Sequence, residues 1–177
     1  MPITTMRTEN PSHEPTCDIC DRLKDRADQG DALRVLPPVF RRFGGRTAFA
    51  GPVVTVRCHE DNTSVKALLE GPGLGRVLVV DGGGSLRRAL VGGNIAAAAA
   101  RNGWAGVVVD GCVRDVAELA AADVGLCALA PMPLPTERRI AGQIDVPVRI
   151  QGVTVRPGEW LCADADGIVV LPQAPGN

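Results

Sequence analysis

Apolar residues follow two rhythms along this chain. Between Thr47 and Ala130, short continuous apolar runs alternate with stretches of helical spacing. Val77 to Val80 is an unbroken apolar run, as expected of a strand buried on both faces. Trp104 to Val109 and Val124 to Ala130 repeat that pattern. Residues 62–70, 94–101 and 113–121 lie between these runs and read as helices. Asp61 or Asn62 suits the cap of the first helix, and Gly71 its end. A succession of strand, helix, strand, helix, strand predicts a parallel sheet with crossover helices.

Around this centre the pattern changes. Residues 47–58 are rich in β-branched positions, with Gly51 and Pro52 predicting a break or bulge in a strand. Ile19 and Leu23, four apart, suit a short amphipathic helix over residues 17–27. Beyond Pro131, with Pro133 and Pro135, the chain reads as an irregular connection. Short strands follow near residues 146–150, 153–155, 159–163 and 168–171, a mostly antiparallel ending. Residues 1–15 are polar and carry three prolines, which predicts a disordered tail. The expected organisation is one domain over residues 16–172, with a closing tail at 173–177.

Composition narrows the function classes. Hydrophobic residues make up 45% of 177, enough for a core, but aromatics are only 3%. Val, Ala, Leu and Ile must therefore fill the interior. A formal charge of −1 gives no basic stripe for nucleic acid. No apolar run is long enough to span a membrane, and the N-terminus lacks the apolar segment of a signal peptide. A cytoplasmic protein is expected, whose six cysteines are free thiols. Cys17 and Cys20 form a C-x-x-C with no second pair at zinc-site spacing, so two thiols one helical turn apart is the simpler reading.

Ligands of open α/β sheets bind beyond the carboxyl ends of the strands. Two such ends are legible: Asp81-Gly82-Gly83-Gly84-Ser85 and Asp110-Gly111-Cys112-Val113-Arg114-Asp115. With Gly92-Gly93-Asn94, which opens the intervening helix, they are expected to converge. The first end lacks the spaced glycine fingerprint of a nucleotide site and reads mainly as a tight turn. Arg114, Asp115 and Glu118 are spaced to share one helix face. Two carboxylates supply hard oxygen ligands for a divalent ion, and a guanidinium clamps a carboxylate. The same residues also suit a plain structural role, acids complementing a helix dipole and Arg114–Glu118 as a surface ion pair. Gly92 and Gly93 let backbone N–H groups approach an anion, or simply form a turn capped by Asn94. His59-Glu60-Asp61 resembles metal ligands only superficially, since adjacent residues rarely point the same way.

The strings FRRFGGRTAFAGPVVTVRCHEDN, GRVLVVDGGGSLRRALVGG and GWAGVVVDGCVRDVAEL closely resemble the 4-hydroxy-4-methyl-2-oxoglutarate aldolase family, which includes the regulators of ribonuclease activity A. The segment from Gln151 to Trp160, then ADADGIVVLP, extends the resemblance over residues 16–172. The family's aldolase motif is Gly, twenty residues, Arg-Asp, two residues, then an acid; here it is Gly93, Arg114-Asp115 and Glu118. The resemblance implies a single-domain swivelling-type β/β/α fold with a parallel sheet core and C-terminal antiparallel strands. It implies a class II aldolase that splits 4-hydroxy-4-methyl-2-oxoglutarate into two pyruvates, with oxaloacetate decarboxylation as a side activity. Asp115 is then the anchor of Mg²⁺ or Mn²⁺, supported by Glu118. Arg114 holds the keto or enolate oxygen, and the backbone of Gly93, Asn94 and Ile95 receives the substrate carboxylate. A homotrimer or a dimer of trimers is expected. The alternative is a non-catalytic inhibitor that binds a ribonuclease. Asn94 stands where aldolases of the family often carry an acid, whereas Asp115 is a residue that regulators can lose.

Overall fold

In the computed structural model, residues 13–27 and 29–176 are described. The reading of residues 1–12 as a disordered tail lies outside them. Glu14 is among the described residues and pairs with Arg22, at 2.8 Å.

The apolar runs form the centre of a nine-stranded sheet. In chain order the strands are β1 (Arg34–Val35), β2 (Arg41–Arg42), β3 (Phe49–Arg57), β4 (Val77–Val91), β5 (Gly106–Val113), β6 (Gly125–Pro131), β7 (Gln143–Ile144), β8 (Val148–Ile150), β9 (Val153–Val155), β10 (Trp160–Ala163) and β11 (Ile168–Leu171). The helices are α1 (Thr16–Leu23), α2 (Thr63–Leu69), α3 (Gly93–Arg101) and α4 (Val116–Ala121). The main sheet runs β1-β11-β10-β3-β4-β5-β6-β2, with β7 on β3, and β8-β9 form a separate hairpin. Strands β3 to β6 are mutually parallel, and β1, β10 and β11 are antiparallel. This is the expected α/β domain, a parallel core followed by antiparallel strands.

Alternation along the central strands sorts side chains between two cores. Val54, Val56, Leu78, Val80, Val107 and Val109 face α2, α3 and α4 through Val65, Leu69, Ala96, Ala99 and Leu119. Val53, Val77, Val79 and Val108 face the second β-layer through Val148, Ile150, Val155, Leu161 and Val170. The layers are therefore helix, sheet and sheet. Five consecutive alanines on α3, Ala96 to Ala100, let it lie close to the strands, which is how a chain with so few aromatics closes its core. Trp104 is the large exception, 1% exposed, with its indole N–H donating to the Gly71 carbonyl at 3.1 Å. A third, smaller cluster seats Ile19 of α1 on Cys162, Val169 and Leu171.

Two sequence expectations need correction. Gly51 and Pro52 do not break β3, which runs unbroken for nine residues. They mark a change of partner: residues 49–52 pair with β10, and residues 53–57 with β4. The Asp81–Ser85 segment is not a turn ending a strand. It is a bulge inside β4, where Gly83 and Gly84 take positive φ of 67° and 68° and the pairing with β5 slips. Glycine tolerates that backbone where other residues are strained. Among the described residues, no helix is long and apolar enough to cross a membrane.

Candidate active site

The site forms where β5 ends. The Arg114 N–H donates to the Val91 carbonyl at 3.0 Å and the Met132 N–H to Val113 at 2.8 Å, so three strand ends are stitched together. Asp115 follows in the left-handed region, φ 61° and ψ 48°, as the residue before α4. Asp is one of few side chains that adopt this conformation at modest cost. The turn aims its carboxylate back across the cleft, and Oδ2 accepts from the Gly93 N–H at 2.9 Å. Residues 114, 115 and 118 thus converge, but not as one helical face. The predicted helix from residue 113 begins only at Val116, and the αL turn does the work assigned to helical spacing.

Both ends of the Gly-to-Arg-Asp motif are in contact. A β-carbon on Gly92 would stand 2.8 Å from Asp115 Oδ2 and 3.3 Å from Arg114 Nε. On Gly93 it would overlap the Glu118 carboxylate, 1.8 Å from Oε2. Glycine is required here by close approach rather than by dihedral angle. Asn94 is not the cap of α3: Gly92 holds that position, and Ala96 donates the first intrahelical bond to its carbonyl at 3.0 Å. The N–H groups of Asn94 and Ile95 precede that bond and face the helix's positive end. That of Gly93 is taken by Asp115.

Arg114 and Asp115 line one shallow cleft with Gly92, Gly93, Asn94 and Ile95. Their side chains are 42% and 41% exposed, with Arg114 Nε 3.9 Å from Asp115 Oδ2. The alternative Arg114–Glu118 ion pair does not form among the described residues. The cleft also contains Asn62, Thr136 and Arg138, which sequence reasoning missed. Asn62 donates to the Leu90 carbonyl at 2.9 Å and accepts from Arg138 Nε at 3.2 Å. Its neighbour Asp61 accepts the Arg139 and Ile140 N–H groups at 2.6 and 2.9 Å, pinning the proline-rich connector beside the cleft. Burial pushes the Asp61 carboxyl up, but bonds from Thr63, Arg139 and Ile140 outweigh it and hold the group below its ordinary value. The only sequence signal for Arg138 was an arginine in an irregular connection.

Of three segments expected to converge, two do. The Asp81–Ser85 bulge turns its carboxylate away from the cleft. Asp81 accepts from Gly83 and Arg149 N–H groups at 3.0 and 3.3 Å. Its register partner Asp110, 3% exposed, accepts from Gln151 Nε2 at 2.7 Å. Burial pushes Asp110 up, aided by nearby Asp81 and opposed by the Gln151 bond. Glu60, which follows His59, turns instead to Arg87 and Ser85, at 2.6 and 2.8 Å. All six cysteines are free, Cys17 exposed and Cys20 partly so. Acidic neighbours and burial raise both thiols, which disfavours the thiolate.

A resident metal would find few ligands. Among the described residues, no three His, Cys, Asp or Glu side chains are grouped to hold an ion. Asp115 and Glu118 each reach one of the two adjacent glycines at the start of α3. Mg²⁺ keeps several waters and is often held by one or two carboxylates plus substrate oxygens. The donor set fits such an ion, and does not fit a structural zinc.

An RraA-like family model, described as Aldolase/RraA, matches residues 16–170. The chain belongs to this family. A relative from Albidiferax ferrireducens, provisionally named a 4-hydroxy-4-methyl-2-oxoglutarate aldolase, is 65% identical, covering 88% of this chain and 93% of that protein. One from Cupriavidus necator with the same provisional name is 53% identical, covering 92% and 98%. Among solved structures, the RNA-processing inhibitor RraA from Thermus thermophilis matches with a TM-score of 0.86 and 47% identity, over 93% of this chain and 96% of that one. An S-adenosylmethionine:2-dimethylmenaquinone methyltransferase from Geobacillus kaustophilus matches with a TM-score of 0.83 and 40% identity, over 92% and 97%. Within the RraA-like family, the same fold thus carries names of several activities, and the residues of the cleft must decide between them.

Proposed function

We propose that this RraA-like protein is a divalent-metal-dependent aldolase that cleaves 4-hydroxy-4-methyl-2-oxoglutarate to two pyruvates. The observation that carries the reading is the meeting of Arg114 and Asp115 at the Gly92-Gly93 opening of α3. A 2-oxo acid needs an anion cradle for its carboxylate and positive charge at its keto oxygen. The Asn94 and Ile95 N–H groups supply the first. The Arg114 guanidinium supplies the second, and it neutralises the charge that grows as the C3–C4 bond breaks. The bonding pair stays on C3, the C4 hydroxyl gives up its proton, and C3 gains one. A divalent cation bound there would supply Lewis-acid polarisation of the keto group. Asp115 would hold it, with Glu118 in support. Oxaloacetate passes through the same enolate, so its decarboxylation is the expected side activity.

In one chain the Arg114 and Asp115 side chains are 42% and 41% exposed, while Leu134 and Ile140 on the adjoining connector are 49% and 74% exposed. A homotrimer, or a dimer of trimers, whose neighbouring subunit covers this rim, agrees with both facts. Free cysteines agree with a reducing cytoplasm. A second reading, a non-catalytic inhibitor of a ribonuclease, is favoured by the likeness to the Thermus inhibitor. Pyruvate release from 4-hydroxy-4-methyl-2-oxoglutarate, measured with Mg²⁺ or Mn²⁺ and again after chelation, tests the aldolase. Turnover is expected with metal and abolished without it. Full activity after exhaustive chelation, or no turnover on any 2-oxo acid, overturns the reading, and the second outcome gives the inhibitor precedence.

A further inference from the structure

The keto-acid end of the cleft uses one guanidinium, Arg114. A second guanidinium lines the same cleft and has no role in that chemistry. Arg138 comes from the connector between β6 and β7 and carries an exposed side chain. Among the described residues it makes no ion pair. Its chain neighbour Arg139 does, pairing with Glu137 at 2.6 Å. Nor is Arg138 free to wander. Its Nε donates to Asn62 Oδ1 at 3.2 Å, and Asn62, 6% exposed, is itself fixed by its bond to the Leu90 carbonyl. The segment that carries it is held by two N–H bonds to Asp61 and by Arg88, which donates to the Pro135 carbonyl at 3.0 Å. An arginine anchored through Nε, with its terminal nitrogens unpaired by any acid, is preorganised to bind a carboxylate.

We propose that Arg138 binds the distal carboxylate of the substrate, so that the cleft selects 2-oxo acids bearing a second carboxylate over those that lack one. The inference rests on the aldolase reading for the orientation of the ligand: the keto-acid end lies against Arg114 and the α3 opening, and the far end reaches Arg138. Asn62 is a positioning residue in this scheme. Distal charge recognition falls on ground state and transition state alike, so it is read mainly in KM.

The test compares two aldol substrates, 4-hydroxy-4-methyl-2-oxoglutarate and 4-hydroxy-2-oxopentanoate, which lacks the distal carboxylate. The parent prefers the dicarboxylate. In Arg138→Ala that preference in kcat/KM falls by about 10- to 100-fold, mostly through KM. Arg138→Lys keeps the charge without the fork and retains part of it. Arg114→Ala lowers turnover of both substrates and leaves the preference in place. Calorimetric binding of 2-oxoglutarate against 2-oxobutanoate, in the presence of Mg²⁺, reads the same selectivity without turnover. A parent inactive on both aldols sinks the aldolase reading, while the binding preference still scores Arg138. A parent that binds both acids equally, or an Arg138→Ala variant that keeps the preference, overturns the assignment.

Discussion

Strands β4 and β5 present acids at two places a few residues apart, and the protein treats them in opposite ways. Asp81 and Asp110, in register beneath the glycine bulge, are buried against the second β-layer and bonded by Gly83, Arg149 and Gln151. Asp115, beyond the end of β5, is 41% exposed, sits in a left-handed backbone and lies 3.9 Å from the guanidinium of its neighbour Arg114 in the cleft. The first pair is consumed by the fold. The second residue keeps lone pairs and solvent access, which a ligand site requires. Sequence position at a strand end does not separate the two; the layer toward which the side chain points does.

Two substitutions sharpen this contrast. Gly93→Ala acts on the open corner without removing a reacting group. Its β-carbon displaces the Glu118 carboxylate, and turnover is expected to fall by about 10- to 100-fold, the usual effect of disturbing groups that orient metal ligands. Measured kcat within twofold of the parent shows that Glu118 lends nothing to the site. Asp110→Asn acts on the closed corner and should have the smaller effect: activity stays within about twofold of the parent, and the Gln151 bond survives because Asn also offers an oxygen. Asp110 is held above its ordinary value of 3.8, chiefly by burial. The folded state therefore binds its proton more tightly than the unfolded state. Stability from this group is complete below the unfolded value and is lost as pH rises through the folded one. The Asn variant should then be at least as stable as the parent at pH 7, with the advantage vanishing in acid. A parallel pair of melting curves at pH 4 and pH 7 checks it. An Asn variant with a clearly lower Tm at pH 7 would show that the charged form is stabilising, and would break the contrast.

Much of the fold was legible because burial on both faces leaves a mark. Val77–Val80 and Trp104–Val109 have no polar alternation and became central parallel strands. What misled was local chemistry whose meaning depends on partners. Gly51-Pro52 reads as a breaker, yet a strand that changes neighbours there tolerates it. Asp81 to Ser85 reads as a turn because two positive-φ glycines look alike in a turn and in a bulge. The spacing of Arg114, Asp115 and Glu118 suggested one shared helix face, whereas Asp115 takes an αL backbone and α4 begins only at Val116. Asn62 and Arg138 lie 76 positions apart. Neither carries a motif, and only the closure of the connector over the N-terminus of α2 makes them neighbours.

The central claim is that the Gly93–Arg114–Asp115 corner binds both metal and keto acid, with divided labour. Metal affinity by calorimetry and steady-state pyruvate production, on Arg114→Ala, Asp115→Asn and the parent, test it together. Asp115→Asn should lose both metal affinity and turnover, since its amide has no full negative charge. Arg114→Ala should keep metal binding while turnover falls by about 10²- to 10³-fold, as on removal of a preorganised charge-stabilising donor. If both variants match a measurable parent turnover, the corner is not the active site.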